Sequence, residues 1–245
     1  MFVVLERAPA DREGIVRAAQ AVGLPAVDLR MRAQGVLPKV IHTDADVERA
    51  GRLATALREN GAAVFLLDPL GVGQAPRLYA RSLAWIDGGF AAVDGLGAPH
   101  PCPFSAIRLI QKGRVVHSES SEVTRTEKKF SVGRAVLSGG LLLTKSVEKK
   151  ELQTRENRVA MLLVQRKDGG DEIAIVEGHH DFRFLGAQMT PTSMVNLDRT
   201  LAELRRRSPA TPFDDRAFQQ AFLLGVPSAG VDQGELAFAL VAAAL

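Results

Sequence analysis

The chain has one cysteine, Cys102, in 245 residues. That excludes an intramolecular disulfide and a cysteine-based zinc cluster, and it fits a reducing compartment. With no partner thiol, Cys102 reads as an incidental or buried side chain. No run approaches the roughly 18 uninterrupted apolar residues that cross a bilayer, and the longest candidate, Leu236 to Leu245, is much shorter. The apolar start Phe2 to Leu5 runs at once into Glu6, Arg7, Asp11 and Glu13, whereas a secretory signal needs a basic start and a longer apolar core. The expectation is a soluble, cytoplasmic protein. Also missing are a Gly-x-Ser-x-Gly elbow, a Gly-x-x-x-x-Gly-Lys loop and any pair of spaced cysteines, so the usual nucleophile, phosphate-loop and zinc signatures are all absent.

What is present suits a globular protein, with 46% hydrophobic and 24% charged residues. The length exceeds the usual single-domain size of about 100–150 residues, which favours two domains. The reading divides the chain into a small α/β domain at 1–69, a linker at 70–76, a β-rich domain at 77–209 and a helical extension at 210–245. The fold class expected is α+β.

In the first domain, Phe2 to Leu5 and Ala62 to Leu67 are β-prone runs, the second closed by the turn signal Asp68-Pro69. Between them, Ile15, Ala18, Ala19 and Val22 share one helical face in Asp11 to Val22, and Val47, Ala50, Leu53, Ala54 and Leu57 share another. Thr43 is the expected N-cap of that later helix, with Asp46 three positions on, and Asn60-Gly61 stops it. A short helix is expected near Val27 to Ala33 and a brief strand or turn at Val40-Ile41. The order is β-α-α-(β)-α-β.

Residues Ile15-Val16-Arg17, Gly23-Leu24, Pro38, Val40, Ala50, Leu57 and Gly61-Ala62-Ala63-Val64 carry a resemblance to the C-terminal domain of the bacterial ribosomal stalk protein and to the Clp protease adaptor that shares its fold. The resemblance covers residues 1–68 and consists mostly of packing positions. The lysine-rich surface helix of the stalk domain is replaced here by Ala26-Val27-Asp28-Leu29-Arg30-Met31-Arg32, so no factor-binding residue is carried over. What the resemblance implies is a module that binds protein segments, and fold alone is an associational warrant.

Leu70 to Pro76 is rich in Gly and Pro and reads as a flexible connection. Its Gly71-x-Gly73 lacks the third glycine of a dinucleotide loop. Beyond it, short apolar runs alternate with turns: Leu78 to Ile86, Phe90 to Val93, Phe104 to Ile110, Gly140 to Val147, Arg158 to Arg166, Glu172 to Val176 and Asp181 to Leu185. Asp87-Gly88-Gly89 and Lys167 to Asp171 are hairpin signals. Met194, Leu197, Leu201 and Leu204 then mark a helix ending before Ser208-Pro209. Six or seven strands closed by one helix imply a barrel or sandwich. With Pro103-Phe104-Ser105-Ala106-Ile107-Arg108-Leu109-Ile110 as a third-strand segment, residues 77–207 resemble a bacterial pleckstrin-homology-like domain. After that, Asp214-Asp215 starts a helix through Leu224, and Glu235 to Leu245 forms an apolar last helix expected to dock on the chain's own core.

Three groups of residues invite a chemical reading. Glu177-Gly178-His179-His180-Asp181 concentrates potential metal ligands and acid/base groups, the basis of a metal-assisted hydrolase reading. Neighbours on a strand point to opposite faces, though, so a solvated turn is the expectation there. His42, Asp44 and Asp46 sit at a helix mouth, where capping and the helix dipole account for the aspartates. The segment Arg108 to Lys167 holds fourteen Lys or Arg against six Glu and no Asp, in a chain of net charge +3. Within it Lys112, Arg114, Arg125, Lys128, Lys129, Arg134, Lys145, Lys149 and Lys150 form the candidate basic face for anionic lipid or a phosphorylated ligand. Outward lysines that protect strand edges are the plainer explanation. Phe130 is the only aromatic residue in the segment, which argues against single-stranded nucleic acid, where bases stack on rings. The functional expectation is a non-enzymatic adaptor or scaffold that binds other proteins, with no cofactor and no metal.

Overall fold

A computed structural model describes residues 1–130, 144–227 and 232–245, with side chains described over 1–116, 158–227 and 232–245. The chain is α+β. It divides into two compact units, Met1–Val115 with Val159–Leu245, and Val116–Arg158.

The first unit begins with β1 (Phe2–Arg7), α1 (Arg12–Ala21), α2 (Ala26–Ala33), β2 (Lys39–Thr43), α3 (Val47–Glu59) and β3 (Ala63–Leu67). β1 lies between β2 and β3, antiparallel to both. Its four apolar residues are buried on both faces, which is why they run without a polar interruption. Val3 and Leu5 join Ala18, Ala19, Leu29, Ala50, Ala54 and Leu57 in the core under the helices. Phe2 and Val4 point the other way, into a second core built by the C-terminal helices. Asp11 caps α1 through the Gly14 amide. The cap of α3 is Asp46, which accepts from the Glu48 and Arg49 amides, not Thr43. The helix therefore starts three residues later than expected, and Asp44 and Asp46 acquire separate jobs.

Next come β4 (Arg77–Tyr79), β5 (Ser82–Ile86), β6 (Gly89–Val93) and β7 (Pro99–Pro103). The run from Leu78 to Ile86 is two strands, because the backbone changes partner in mid-run. Ala80 donates to the Ala174 carbonyl in one sheet and Arg81 to the Val93 carbonyl in another. β5, β6 and β7 form an antiparallel three-stranded sheet. In β7 every second residue is proline: Pro99, Pro101 and Pro103.

A turn of 3-10 helix at Phe104–Ala106 leads into β8 (Ile107–Phe130), which is followed by β9 (Thr144–Arg166) and β10 (Glu172–Val176). With β11 (Phe213–Asp214) they build an open five-stranded sheet in the order β11-β8-β9-β10-β4. No barrel closes among the described residues, so the barrel half of the expectation fails. The β9–β10 hairpin falls where Lys167 to Asp171 placed it. Alternation again sorts side chains to two faces: Leu162, Val164, Ile173 and Ile175 pack toward β5–β7 and α4 (Ser193–Arg207), while Met161, Leu163, Ala174 and Val176 pack toward the C-terminal helices. Asp181 to Leu185 is not a strand. Arg183–Gln188 is a 3-10 segment that packs Leu185 inward.

The last elements are a 3-10 turn at Arg216–Phe218, the short α5 (Gln220–Leu223) and α6 (Gln233–Ala243). The helix expected from Asp214 to Leu224 is thus broken, with Gln219 extended between its pieces. α6 docks on the chain's own core, burying Leu236, Phe238, Leu240 and Val241, each contributing about 1.5–3 kcal/mol by removal from water. Two glycines set this approach. A Cβ at Gly234 would lie 1.8 Å from the Arg114 carbonyl, and one at Gly113 would meet the Phe238 ring at 2.4 Å. The helix therefore rests directly on the β8 backbone.

Candidate functional site

Residues 177–180 are a turn, as expected, but His180 is buried, which a solvated turn does not allow. Its Nδ1 lies 2.8 Å from the Ala80 carbonyl, so that nitrogen carries the proton, and Nε2 is buried without a partner among the described residues. The ring sits edge-on to Phe182 and Phe184, at 4.9 Å and 5.7 Å between centroids. Burial pushes its pKa down, the Ala80 bond opposing this in part. Asp181 turns away to pair with Arg183. Among the described residues no three His, Cys, Asp or Glu side chains come together as a metal cluster.

Of the basic-face candidates, Lys112 and Arg114 have described side chains, and both are engaged. Lys112 pairs with Asp198 at 2.5 Å, and both cations lie over the Phe218 ring, at 4.1 Å and 4.3 Å from its centroid. Cations held over a ring face are stabilised by its quadrupole. Arg134 lies outside the described residues, as do the side chains of Arg125, Lys128, Lys129, Lys145, Lys149 and Lys150. Cys102 is buried, and burial pushes its thiol up to about 11, so it carries no reactive thiolate.

The Gly71–Gly73 loop lines a cavity of about 330 Å³ with Arg77, Glu172, Glu235 and Phe238, and Val72 is buried in the second core. Arg77 fills the cavity's polar side. Its Nε and Nη2 donate to Glu172 Oε2 at 3.2 Å and 2.9 Å, and Nη1 donates to Glu235 Oε1 at 2.7 Å. This ion triad joins β4, β10 and α6.

A different arrangement lies in the N-terminal α/β region. Asp44 follows β2, and its side chain is 1% exposed. It accepts from Arg49 Nε at 2.5 Å and Arg49 Nη2 at 2.8 Å, and from the Asp46 amide at 2.9 Å, with His42 Nε2 at 3.4 Å. The Arg49 bonds, then the Asp46 amide, hold the carboxyl well below its ordinary range although burial opposes them. The N-terminal amine donates to the Asp44 carbonyl at 2.7 Å, fixing the backbone there. His42, Arg49 and Arg52 then border a cavity of about 640 Å³, whose apolar wall is Ala21, Val22, Leu53 and Ala56. Sequence reasoning named His42, Asp44 and Asp46 but explained the two aspartates by capping and the helix dipole. It missed Arg49 and Arg52, because the five-residue step from Asp44 to Arg49 is no helical spacing and crosses from loop to helix.

On the neighbouring face, α1 and α2 enclose a shallow depression of about 170 Å³ lined by Arg12, Ile15, Val16, Ala26, Val27 and Arg30. Leu29 is the one residue of α2 that is buried. Val27 and Met31, one helical turn apart, are 49% and 56% exposed. Among the described residues neither Arg12 nor Arg30 reaches a carboxylate.

No family model, curated protein or solved structure matches the chain. Among the described residues no helix is long and apolar enough to cross a membrane.

Proposed function

We propose that this chain is a non-enzymatic adaptor that binds an acidic, partly apolar segment of another protein along α1 and α2. The observation that carries this reading is the combination on one face of two exposed apolar side chains, Val27 and Met31, with two arginines, Arg12 and Arg30, that pair with no carboxylate among the described residues. Val27 and Met31, i and i+4 apart on an exposed helix face, form a small apolar strip beside the α1–α2 depression that the apolar part of a bound segment would cover. The flanking guanidiniums favour a partner with carboxylates and speed encounter more than they add affinity. The likeness of residues 1–68 to a protein-binding fold agrees with this but is not its basis. The apolar C-terminal helix is internal and is not available as a second docking element.

The test is co-purification of the full chain from its native cell extract, comparing wild type with the double variant Val27→Asp, Met31→Asp and with the control Leu224→Asp. Both changes lie on exposed side chains, so folding is preserved. A specific partner retained by wild type and the control, and lost about tenfold or more from the double variant, supports the reading. The same captured set from all three chains overturns it.

A further inference from the structure

We infer that the cavity bordered by His42, Arg49 and Arg52 is a binding site for a small oxyanion, a phosphate or carboxylate group carried on an apolar body. This is a separate site from the α1–α2 face and does not rest on the adaptor reading.

The charge arrangement is one-sided. Asp44 is the single acidic residue on the cavity lining, and its two oxygens are already occupied by Arg49, the Asp46 amide and His42. The cavity is therefore lined by one neutralised carboxylate, two guanidiniums and an imidazole. Arg49 uses Nε and Nη2 for Asp44. A guanidinium has five N–H donors, and those remaining on Nη1 and Nη2 have no partner among the described residues. Arg52 is held only loosely, 3.7 Å from Glu48 with both side chains largely exposed, a kind of pair that contributes little. An anion entering the cavity displaces no strong bond.

Position matters as much as charge. Asp44 is buried and tied by its backbone to the chain start and by its side chain to the α3 cap. It thus fixes the plane of the Arg49 guanidinium before any ligand arrives. A preoriented fork is what a carboxylate or phosphate binds in bidentate fashion, and preorientation removes part of the ordering cost of binding. The apolar part of the lining is Ala21, Val22, Leu53 and Ala56, with no charge. A ligand made only of an oxyanion leaves that part wet, whereas one with a short aliphatic or aromatic body covers it.

The experiment is a titration of the full chain, followed by amide NMR shifts at low salt, with inorganic phosphate, phenyl phosphate and hexanoate. The expected result is a saturable shift confined to the amides of Ala21–Val22 and residues 42–56, with phenyl phosphate or hexanoate binding about tenfold tighter than inorganic phosphate. Which of the two binds tighter identifies the head group. Arg52→Gln, on an exposed side chain, and Arg49→Lys, which keeps a cation beside Asp44, are each expected to weaken binding about tenfold. Absence of saturable shifts with all three probes overturns the proposal. So does either variant binding its best probe as tightly as wild type.

Discussion

Arg77 and Arg49 each grip a carboxylate through two or more guanidinium nitrogens, yet their side chains are 9% and 67% exposed. Arg77 engages three nitrogens with Glu172 and Glu235, whose side chains are 16% and 19% exposed, and its cluster closes on itself between two strands and a helix. Arg49 engages two nitrogens with a buried aspartate and turns the rest of its guanidinium to open space. The same pairing chemistry is therefore structural in one place and recognitive in the other, and the difference lies in what remains unbonded. An ion cluster in which all three guanidinium nitrogens are engaged, and which is packed between strands and a helix, has little left for a ligand. One that orients unmatched donors toward a cavity with an apolar wall has those to offer.

The contrast can be broken most sharply at Arg77. Arg77→Ala leaves two nearly buried carboxylates without their counter-ion, which costs about 3–5 kcal/mol in comparable sites. A urea unfolding curve of the full chain should show a midpoint shift to match, and a shift below about 1 kcal/mol would mean the triad is not structural. Next in size is Asp46→Ala, which removes the α3 cap and should cost about 1 kcal/mol, read by the same curves. Arg52→Gln should change stability by less than about 0.5 kcal/mol, since its only ionic contact among the described residues is a long exposed one. A loss as large as that at Arg77 would move Arg52 from the recognition side of the comparison to the structural side.

Much of the architecture was legible in the residues because local signals and tertiary demands coincide. Phe2 to Leu5 reads as a strand and is one, and its uninterrupted apolarity reflects burial on both faces. Asp87-Gly88-Gly89 and Lys167 to Asp171 turn the chain where hairpins form. Misreadings occurred where an apolar period is shared by two structures. Leu78 to Ile86 keeps a strand pattern while its hydrogen bonds pass from one sheet to another at Ala80 and Arg81. Asp181 to Leu185 has inward Phe182 and Leu185, three apart, which a 3-10 turn places together as readily as a strand separates them.

The candidate sites were less legible, for a related reason. His42, Asp44, Asp46 and Arg49 each have a sufficient local explanation, and only their convergence shows that Asp46 is the cap and Asp44 the holder of a guanidinium. His180 failed in the opposite direction: its sequence neighbours suggest chemistry, while its spatial neighbours are phenyl rings. A functional cluster in sequence is a statement about chain order, whereas coordination and acid/base chemistry depend on which side chains face one another.

The alternating prolines of β7 carry one more consequence, for how this molecule behaves when concentrated. In the antiparallel pairing of β6 with β7, Val93, Ala91 and Gly89 lie opposite Pro99, Pro101 and Pro103. Proline has no amide hydrogen, so the ladder is served by His100 and Cys102, and every amide that would otherwise point outward from this edge is missing. A passing extended chain would find carbonyl oxygens there but no donors to pair with, so the sheet cannot be lengthened on that side. Encounters between copies of the protein at this edge should end in separation, leaving crowding without a template for growth.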